Sequence, residues 1–317
     1  MTLCILHLGS EKTGTSSIQK YFGIRRAALL QKGIWYPRSF ANPASHVHLK
    51  LSRAALTGAL NDEAPEVVEF RKEYESAAKA GVSVALFSSE FFHSEMREAA
   101  ALERLREFLE KFFDSFQLIY YARRQDEMLA SMHSTAVKGG WTTDPHALSV
   151  YESKGHYYFD HQAVCDLWSA QFGRENLVCR IFEREKLIGG DIVDDFAHAI
   201  GLERGTGSSH VSANESLSFE TMSALLYLNA SPDRDNRELR RKLVARGRKR
   251  NGTRVPMVTK GEAKDFYARF RDSNRHFFDG YVDKDLATGF SEDFSNFPDA
   301  LPEMPLADVK AFIFGKK

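Results

Sequence analysis

The chain is short of the features that mark several broad classes of protein. It has only three cysteines in 317 residues, Cys4, Cys165 and Cys179, and their spacing suits neither a disulfide framework nor a zinc site. The 43 basic and 43 acidic side chains leave no net charge, which gives no electrostatic ground for binding nucleic acid. No segment approaches the roughly 20 apolar residues that a membrane-spanning helix needs. These absences predict a cytoplasmic protein with reduced thiols and no transmembrane segment.

Apolar and aromatic side chains, by contrast, are plentiful. Hydrophobic residues make up 43% of the chain and 24 residues are phenylalanine, which predicts a folded protein with a large packed interior. A length of 317 residues allows one complete α/β core with additions. We therefore expect a single domain over residues 1–317, in which 1–185 form the α/β core and 186–317 a mostly helical or irregular extension.

Short apolar runs alternate with helical patterns in the first part of the chain. The apolar runs predict strands at 3–8, 34–36, 82–87, 116–121 and 177–182. Helical periodicity occupies 63–79, 95–113, 125–137 and 158–172, while the stretch that holds His46 and His48 looks irregular. Such alternation is typical of a central parallel sheet flanked by helices, with ligands bound beyond the carboxyl ends of the strands.

The first predicted strand runs into a loop that combines glycine, lysine and small hydroxyl residues, Gly9-Ser-Glu-Lys-Thr-Gly-Thr-Ser-Ser17. Backbone N–H groups and the start of the next helix can face an anion there, and Lys12 adds a full positive charge. Lys12 precedes Gly14, whereas the lysine of a nucleotide-triphosphatase loop follows the second glycine, so an ordinary ATPase is disfavoured. A polar turn capped by Thr15 or Ser16 would use the same residue types.

The string from Leu6 to Gln19 resembles the 5′-phosphosulfate loop of sulfotransferases that use 3′-phosphoadenosine 5′-phosphosulfate (PAPS). In the bacterial branch of that family the loop reads roughly H-[IL]-G-x-x-K-T-G-T-[ST]-[ST]-[IL]-Q. The resemblance implies a P-loop nucleotide-hydrolase-like sulfotransferase fold with a mostly helical C-terminal part. It also implies that Lys12 contacts the bridging oxygen of the phosphosulfate, and that the 5′-phosphate is held by Thr13, Gly14, Thr15, Ser16 and Ser17. Similarity to the same branch continues at 160–173, 177–183 and 214–218, and weakly around 274–275.

Two arginines follow the fourth predicted strand. In sulfotransferases an arginine at this position and a serine eight residues later grip the 3′-phosphate, and the resemblance assigns these roles to Arg123 and Ser131. Arg124 is the less suitable ligand, because the residue eight positions after it is Met132, which cannot donate a hydrogen bond. Arginines at strand ends also pair with nearby carboxylates, such as Asp126, and that alternative stays open.

An acceptor hydroxyl must lose its proton as it attacks sulfur, so the site needs a general base. Glu90 ends the third apolar run in Ser88-Ser-Glu90, and the resemblance places the base at the end of the strand that precedes the 3′-phosphate strand. A surface or helix-capping glutamate would look the same. His46 and His48 are rival bases because histidine titrates near neutral pH, and His93 could orient the base or share its proton.

One clear cluster of basic residues lies late in the chain. Within 237–254 it includes Arg240-Arg-Lys242 and Arg246-Gly-Arg-Lys-Arg250. It could bind an anionic glycan, reach the cofactor phosphate or form a solvated helix face. It does not match the R-K-G motif that closes over the 3′-phosphate in animal cytosolic sulfotransferases, so that role is not assigned to it.

These features predict an enzyme that transfers a sulfuryl group from PAPS to an acceptor hydroxyl by in-line displacement, with Lys12 and Glu90 as its catalytic residues. The resemblance to the bacterial branch implies an acceptor on a carbohydrate or glycolipid. No residue cluster has metal-ligand spacing, so the reaction is expected to need no metal. The alternatives are an ATP-dependent kinase of a small molecule and a non-catalytic protein that binds a nucleotide or glycan.

Overall fold

The chain contains one five-stranded parallel sheet among its described residues. The structure is a computed structural model that describes residues 2–202, 217–231, 236–249 and 255–315. The strands lie in the order β2-β3-β1-β4-β5. Their bounds are β1 (Leu3–Leu8), β2 (Ile34–Trp35), β3 (Val84–Ser89), β4 (Ser115–Ala122) and β5 (Leu177–Ile181). Every strand pair is parallel, so the α/β class predicted from the alternation of strands and helices is confirmed.

Helices account for most of the remaining described residues. They are α1 (Thr15–Ile24), α2 (Arg26–Leu30), α3 (Leu49–Thr57), α4 (Pro65–Lys79), α5 (Phe91–Ser94), α6 (Ala99–Glu110), α7 (Gln125–Gly139), α8 (Leu148–Lys154), α9 (His161–Phe172), α10 (Ile192–Ala199), α11 (Phe219–Ala230), α12 (Arg237–Lys249), α13 (Lys260–Ala268), α14 (Arg271–Tyr281) and α15 (Leu306–Phe314). No helix within the described ranges is long and apolar enough to cross a membrane.

The described residues group into two compact units, each built from separate stretches of chain. The first unit contains residues 2–123, 160–202 and 272–290, and with them the whole sheet. The second contains 124–159, 217–231, 236–249, 255–271 and 291–315. The sequence predicts a change of character at residue 185, but each unit combines residues from both sides of that position. The chain leaves the first unit after β4 and returns to it at α9, and residues beyond 185 in turn contribute to both units.

In the first unit, side chains alternate between the two faces of the sheet, as the pleat of a strand requires. One face, which includes Ile5 and Ile119, packs with Phe22 of α1 and Phe196 of α10. On the other face, Phe87 of β3 packs against the Phe70 ring of α4, which packs in turn against the Phe108 ring of α6. Burying one such ring contributes about 1.5 to 3 kcal/mol, so both layers of helices are held mainly by apolar contact.

A buried ion pair ties β4 and β5 to α10. Asp195 is fully buried on α10 and accepts hydrogen bonds from the Tyr121 hydroxyl and from Nη2 of Arg180, both at 2.6 Å. The Ile188 N–H donates to the same carboxylate at 3.0 Å. Burial and the Asp195 carboxylate raise the pKa of Tyr121. Because the carboxylate satisfies donors from three segments, it fixes α10 over the end of the sheet.

Two predicted boundaries differ from the observed ones in ways that affect the site. The third strand extends to Ser89 rather than ending at 87, so Ser88 and Ser89 are buried strand residues. The stretch predicted to be irregular contains α3, which buries Leu51 and Ala55 and ends at Gly58 with φ 73°. A helix of nine residues is too short for its four-residue spacing to stand out in the sequence.

The second unit has helices only among its described regular elements. Helix α7 packs against α11 and α13, and apolar clusters form around Phe159 with Phe266 and around Leu225. Arg124 is buried at the start of this unit, where its guanidinium donates to both carboxylate oxygens of Asp126, at 2.8 and 2.9 Å.

We expect Asp195→Ala to lower the free energy of unfolding by about 3 to 5 kcal/mol, because it leaves the Arg180 guanidinium partly buried without its counter-charge. Urea unfolding followed by circular dichroism measures the loss. Glu110→Ala is the matched control, because it breaks an exposed ion pair with Arg106 and is expected to cost less than about 1 kcal/mol. Equal losses in the two variants would contradict a stabilising role for the Asp195 cluster.

Candidate functional site

Three strands end side by side at the carboxyl edge of the sheet. Strand β1 is central, and Leu8 at its end pairs with Ser89 of β3 and with Tyr120 of β4. The chain builds β2 and β3 on one side of β1 and then crosses to build β4 and β5 on the other. Open α/β sheets bind ligands at such a reversal of strand order. The three sequence motifs, which follow β1, β3 and β4, are therefore brought to one edge.

The loop after β1 has the backbone shape of an anion-binding turn. Gly9 donates to the Ser89 carbonyl at 3.2 Å, and a Cβ on it would lie 2.6 Å from Cγ2 of Thr15, so the close approach requires glycine. Lys12 and Gly14 both have left-handed conformations, with φ 71° and 77°. Helix α1 then begins at Thr15 with no side-chain cap on Gly14. The turn is thus not closed by the capping hydroxyls that an ordinary helix start would use, and it presents the first N–H groups of α1.

The hydroxyl groups of the loop divide into two sets. Thr13 and Thr15 are buried and donate to the Ser10 carbonyl, at 2.6 and 3.1 Å, so they brace the loop from within. Ser16 is exposed in the first turn of α1, whereas Ser17 is buried. The Ser10 hydroxyl is buried and has no hydrogen-bond partner within the described part of the chain. The loop therefore offers backbone amides and Ser16 to a ligand more directly than it offers the threonine hydroxyls.

Glu90 lies between the end of β3 and α1. It immediately precedes α5, and one of its carboxylate oxygens accepts a hydrogen bond from Nε2 of Gln19 on α1 at 2.9 Å. Burial raises the pKa of Glu90, the Gln19 hydrogen bond opposes that rise, and the carboxylates of Glu11 and Glu95 add to it. This environment suits a general base better than it suits a surface glutamate. Gln19 ends the loop motif in the sequence, where no role was predicted for it, and its contact with Glu90 is seen only in the structure.

The rival base His48 has a structural role. It is fully buried, its Nδ1 accepts from the Ser88 N–H at 3.1 Å, and its Nε2 donates to the Pro37 carbonyl at 3.1 Å. Burial lowers the pKa of His48 to about 4, so the ring is neutral and both its nitrogens are engaged by backbone. His48 braces β3 and has no nitrogen left for a substrate proton.

His46 and His93, the other two histidines considered near the base, also contact protein side chains. His46 is half-buried, and its Nδ1 lies 3.3 Å from Nη1 of Arg26. Burial, Arg26 and Arg38 all lower the pKa of His46. His93 is fully buried and packs against the ring of Tyr120. Glu90 is the titratable group at this edge whose surroundings fit a proton acceptor best.

Arg123 reaches back from the end of β4 to the loop. Its Nη1 donates to the Lys12 carbonyl at 2.8 Å. Its own carbonyl accepts from Nε2 of His161 at 2.8 Å, and Nδ1 of His161 in turn accepts from the Tyr120 hydroxyl at 2.7 Å. Burial lowers the pKa of His161 to about 4, so the imidazole is neutral and connects the Tyr120 hydroxyl to the Arg123 carbonyl at the end of β4. His161 lies in a stretch noted only for its family similarity, and its position behind Arg123 was not predicted.

The two remaining predicted residues belong to the second unit. Ser131 is half-buried on α7, and its pairing with Arg123 stays a prediction. Arg124, the alternative phosphate ligand, forms the pair with Asp126 and also donates to the carbonyls of Ser291 and Asp293, at 2.6 and 2.7 Å. Its guanidinium is committed to structural contacts. Of the sequence features noted above, residues 214–216 and 250–254 lie outside the described residues.

Comparison with known proteins gives one relative without a known activity. No protein-family model matches the chain. No solved structure matches it. An uncharacterised protein of Archaeoglobus fulgidus is 27% identical over 172 residues, which are 52% of this chain and 45% of that protein. The chain thus spans a little under half the length of the curated relative it matches, and the similarity assigns no function. Across the part of the chain that the structure covers, no group of three or more His, Cys, Asp or Glu side chains could hold a metal ion.

Because His48 is buried as the neutral ring, we expect it to make stability depend on pH. Its pKa of about 4 lies below the unfolded value near 6.5, so the unfolded chain binds more protons between these values. Stability should therefore be complete above about pH 6.5 and fall as the pH drops toward 4, by up to about 1.4 kcal/mol per pH unit for this histidine.

Urea unfolding over that pH range measures the slope. His48→Gln is expected to lower this slope by about the contribution of one titrating histidine, whatever its effect on stability at neutral pH. His276→Gln changes an exposed histidine and should leave the slope as it is. An unchanged slope in His48→Gln would show that the ring is not buried in its neutral form.

Proposed function

We propose that the chain is a sulfotransferase that moves a sulfuryl group from PAPS to a hydroxyl of a carbohydrate or glycolipid. One observation carries the proposal: the Lys12 loop lies at the sheet edge between Glu90 and Arg123. Arg123 donates to the Lys12 carbonyl on one side, and Gln19 of the following helix holds Glu90 on the other. An anion cradle beside a partly desolvated base is what in-line transfer to a hydroxyl requires.

The residues at this edge fit the two anionic ends of PAPS. The Ser10 hydroxyl is buried and has no hydrogen-bond partner among the residues that the structure describes, and the start of α1 is uncapped. These are polar groups of the kind to which a 5′-phosphosulfate would bond. In the proposed complex the loop residues Lys12 to Ser17 hold that group and Arg123 binds the 3′-phosphate, while the part of Ser131 in binding it stays a prediction from the sequence. The bound donor supplies the sulfuryl group and leaves as adenosine 3′,5′-bisphosphate.

Lys12 is proposed to neutralise the charge that develops on the leaving group. Its left-handed backbone is uncommon for a residue with a side chain, and the Arg123 hydrogen bond to its carbonyl helps to hold it. An ammonium held beside the first N–H groups of α1 would stabilise negative charge without having to reorganise during the reaction. Arg123 thus acts on the loop as well as on the proposed 3′-phosphate.

Glu90 is proposed to take the proton of the acceptor hydroxyl. Burial raises its pKa toward the pH at which it must work, which strengthens it as a base. The Gln19 amide donates to one oxygen, so it orients the carboxylate and keeps the pKa from rising further. The carboxylate can then accept a proton at neutral pH and return it to water after transfer.

We expect Glu90→Gln to slow sulfuryl transfer by about 10² to 10⁴-fold, the usual contribution of a general base. In the unaltered protein the rate should fall as the pH drops through the raised pKa of Glu90, because the protonated carboxyl cannot accept a proton. Glu90→Gln should lack this acid limb. Gln19→Met removes the hydrogen bond that lowers the pKa, so its limb should move to higher pH. Transfer of radiolabelled sulfuryl from PAPS to a panel of mono- and oligosaccharides measures each profile.

Glu98→Gln is the matched control, since Glu98 is an exposed carboxylate just before α6 and should retain the rate and the limb. An unchanged limb in Glu90→Gln would remove Glu90 as the base. Phosphoryl transfer from Mg·ATP, with no transfer from PAPS, would replace the proposed reaction by a kinase reaction.

A further inference from the structure

Two adjacent clefts lie beside the end of α7 and the first turns of α12, and all their lining residues belong to the second unit. The first has a volume of about 420 Å³, and its lining includes Trp141, Asn229, Asn236 and Arg240. The second has a volume of about 490 Å³ and shares Arg240 with the first. No residue of the proposed PAPS site lines either cleft.

Trp141 forms an exposed aromatic wall of the first cleft. It is 76% exposed, whereas the other two tryptophans, Trp35 and Trp168, are buried. The backbone N–H of Trp141 donates to the Ala136 carbonyl at 2.8 Å, and the indole lies against Gly139, where a Cβ would be 2.7 Å from the ring. An exposed aromatic face at the surface of a cleft is suited to stacking against a flat, partly apolar ligand.

Positive charge is concentrated in the clefts. Of the lining residues that the structure describes, three are arginines and one is a lysine, and none is an aspartate or glutamate. Within the described residues, Arg237, Arg240 and Arg241 form no ion pair, while Glu238 on the same helix pairs with Lys242. The guanidinium of Arg240 lies on Gly140, where a Cβ would be 1.5 Å from Nη1. Its hydrogen bonds to the Gly139 carbonyl and to Oδ1 of Asn229 are long, at 3.4 and 3.5 Å. Arg240 is thus positioned but only weakly bonded.

Neutral polar groups complete the first cleft. The Asn229 amide donates to the carbonyls of Val137 and Thr142, at 3.0 and 2.9 Å, which fixes its orientation. Thr142, Thr143 and Asn236 add further hydroxyl and amide groups to the lining. A membrane-binding face would instead present several exposed apolar side chains, and Trp141 is the one exposed apolar residue in this lining.

We propose that the clefts bind an acidic saccharide, with a sugar ring on the Trp141 indole and its anionic group at Arg240. The amides and hydroxyls of the first cleft bond the sugar hydroxyls, and the second cleft extends the positive surface along α12. This inference goes beyond sulfuryl transfer and does not depend on it.

Titration of the full chain with a galacturonate tetrasaccharide tests the proposal, with a neutral maltose-type tetrasaccharide as the comparison ligand. Trp141 is the exposed tryptophan, so binding of the acidic ligand should shift the emission to shorter wavelength and protect it from acrylamide quenching. By calorimetry, Arg240→Met and Trp141→Ala are each expected to weaken binding by about tenfold or more. Lys242→Gln removes a charge of the same helix that lines neither cleft and should leave binding unchanged.

Several outcomes would overturn the proposal. Absence of binding by the galacturonate would do so directly, and equal binding of the neutral tetrasaccharide would remove the role of charge. Equal affinity for inorganic phosphate would remove the role of the sugar ring. Binding to phosphatidylglycerol vesicles without binding to the galacturonate would make the surface a membrane contact. Since all these readouts are binding measurements, they stand whether or not the chain transfers sulfuryl groups.

Discussion

The parallel alignment of β3, β1 and β4 is the constraint on which the candidate site depends. Because the strands run the same way and β1 is in the middle, whatever follows each strand emerges at one edge. The register pairs Leu8 with Ser89 and with Tyr120, so Glu90 and the residues before Arg123 flank the loop that starts at Gly9. The ends of these strands thereby bring together a base, an anion cradle and an arginine from segments that lie more than 30 residues apart in the sequence.

Buried polar contacts hold these strand ends in place. Tyr120 and Tyr121 point to opposite faces of β4, as alternate strand residues must. Tyr120 bonds His161, which bonds the Arg123 carbonyl, while Tyr121 bonds Asp195 on the other face. On β3, which lies on the other side of β1, His48 bonds the backbone of Ser88. Polar networks of this kind specify one arrangement, because each broken bond would leave a buried group unsatisfied.

Local patterns in the sequence were enough to predict the strands, the α/β class and the loop. Each depends on residues close together in the chain: a short apolar run, or a lysine between two glycines. The roles of His48, Gln19 and His161 depend on partners about 40 or more residues away, such as Ser88, Glu90 and Tyr120, and no local pattern encodes them. Helix α3 was missed because nine residues carry too little periodicity. Whether an arginine at the end of β4 pairs internally also needed the structure, in which Arg124 does so and Arg123 turns to the loop.

The proposed function requires this edge of the sheet to bind a nucleotide with phosphates at both the 5′ and 3′ positions. Calorimetric titration with adenosine 3′,5′-bisphosphate, ATP and Mg·ATP measures this binding, because the bisphosphate lacks the reactive sulfate and reports on binding alone. We expect the bisphosphate to bind without metal and more tightly than ATP, and Arg123→Ala to weaken its binding by about tenfold or more. Lys12→Ala should have the smaller effect, since the bridging oxygen it is proposed to contact is absent from the bisphosphate. Preference for Mg·ATP, with Arg123→Ala indistinguishable from the unaltered chain, would rule out the proposed nucleotide site.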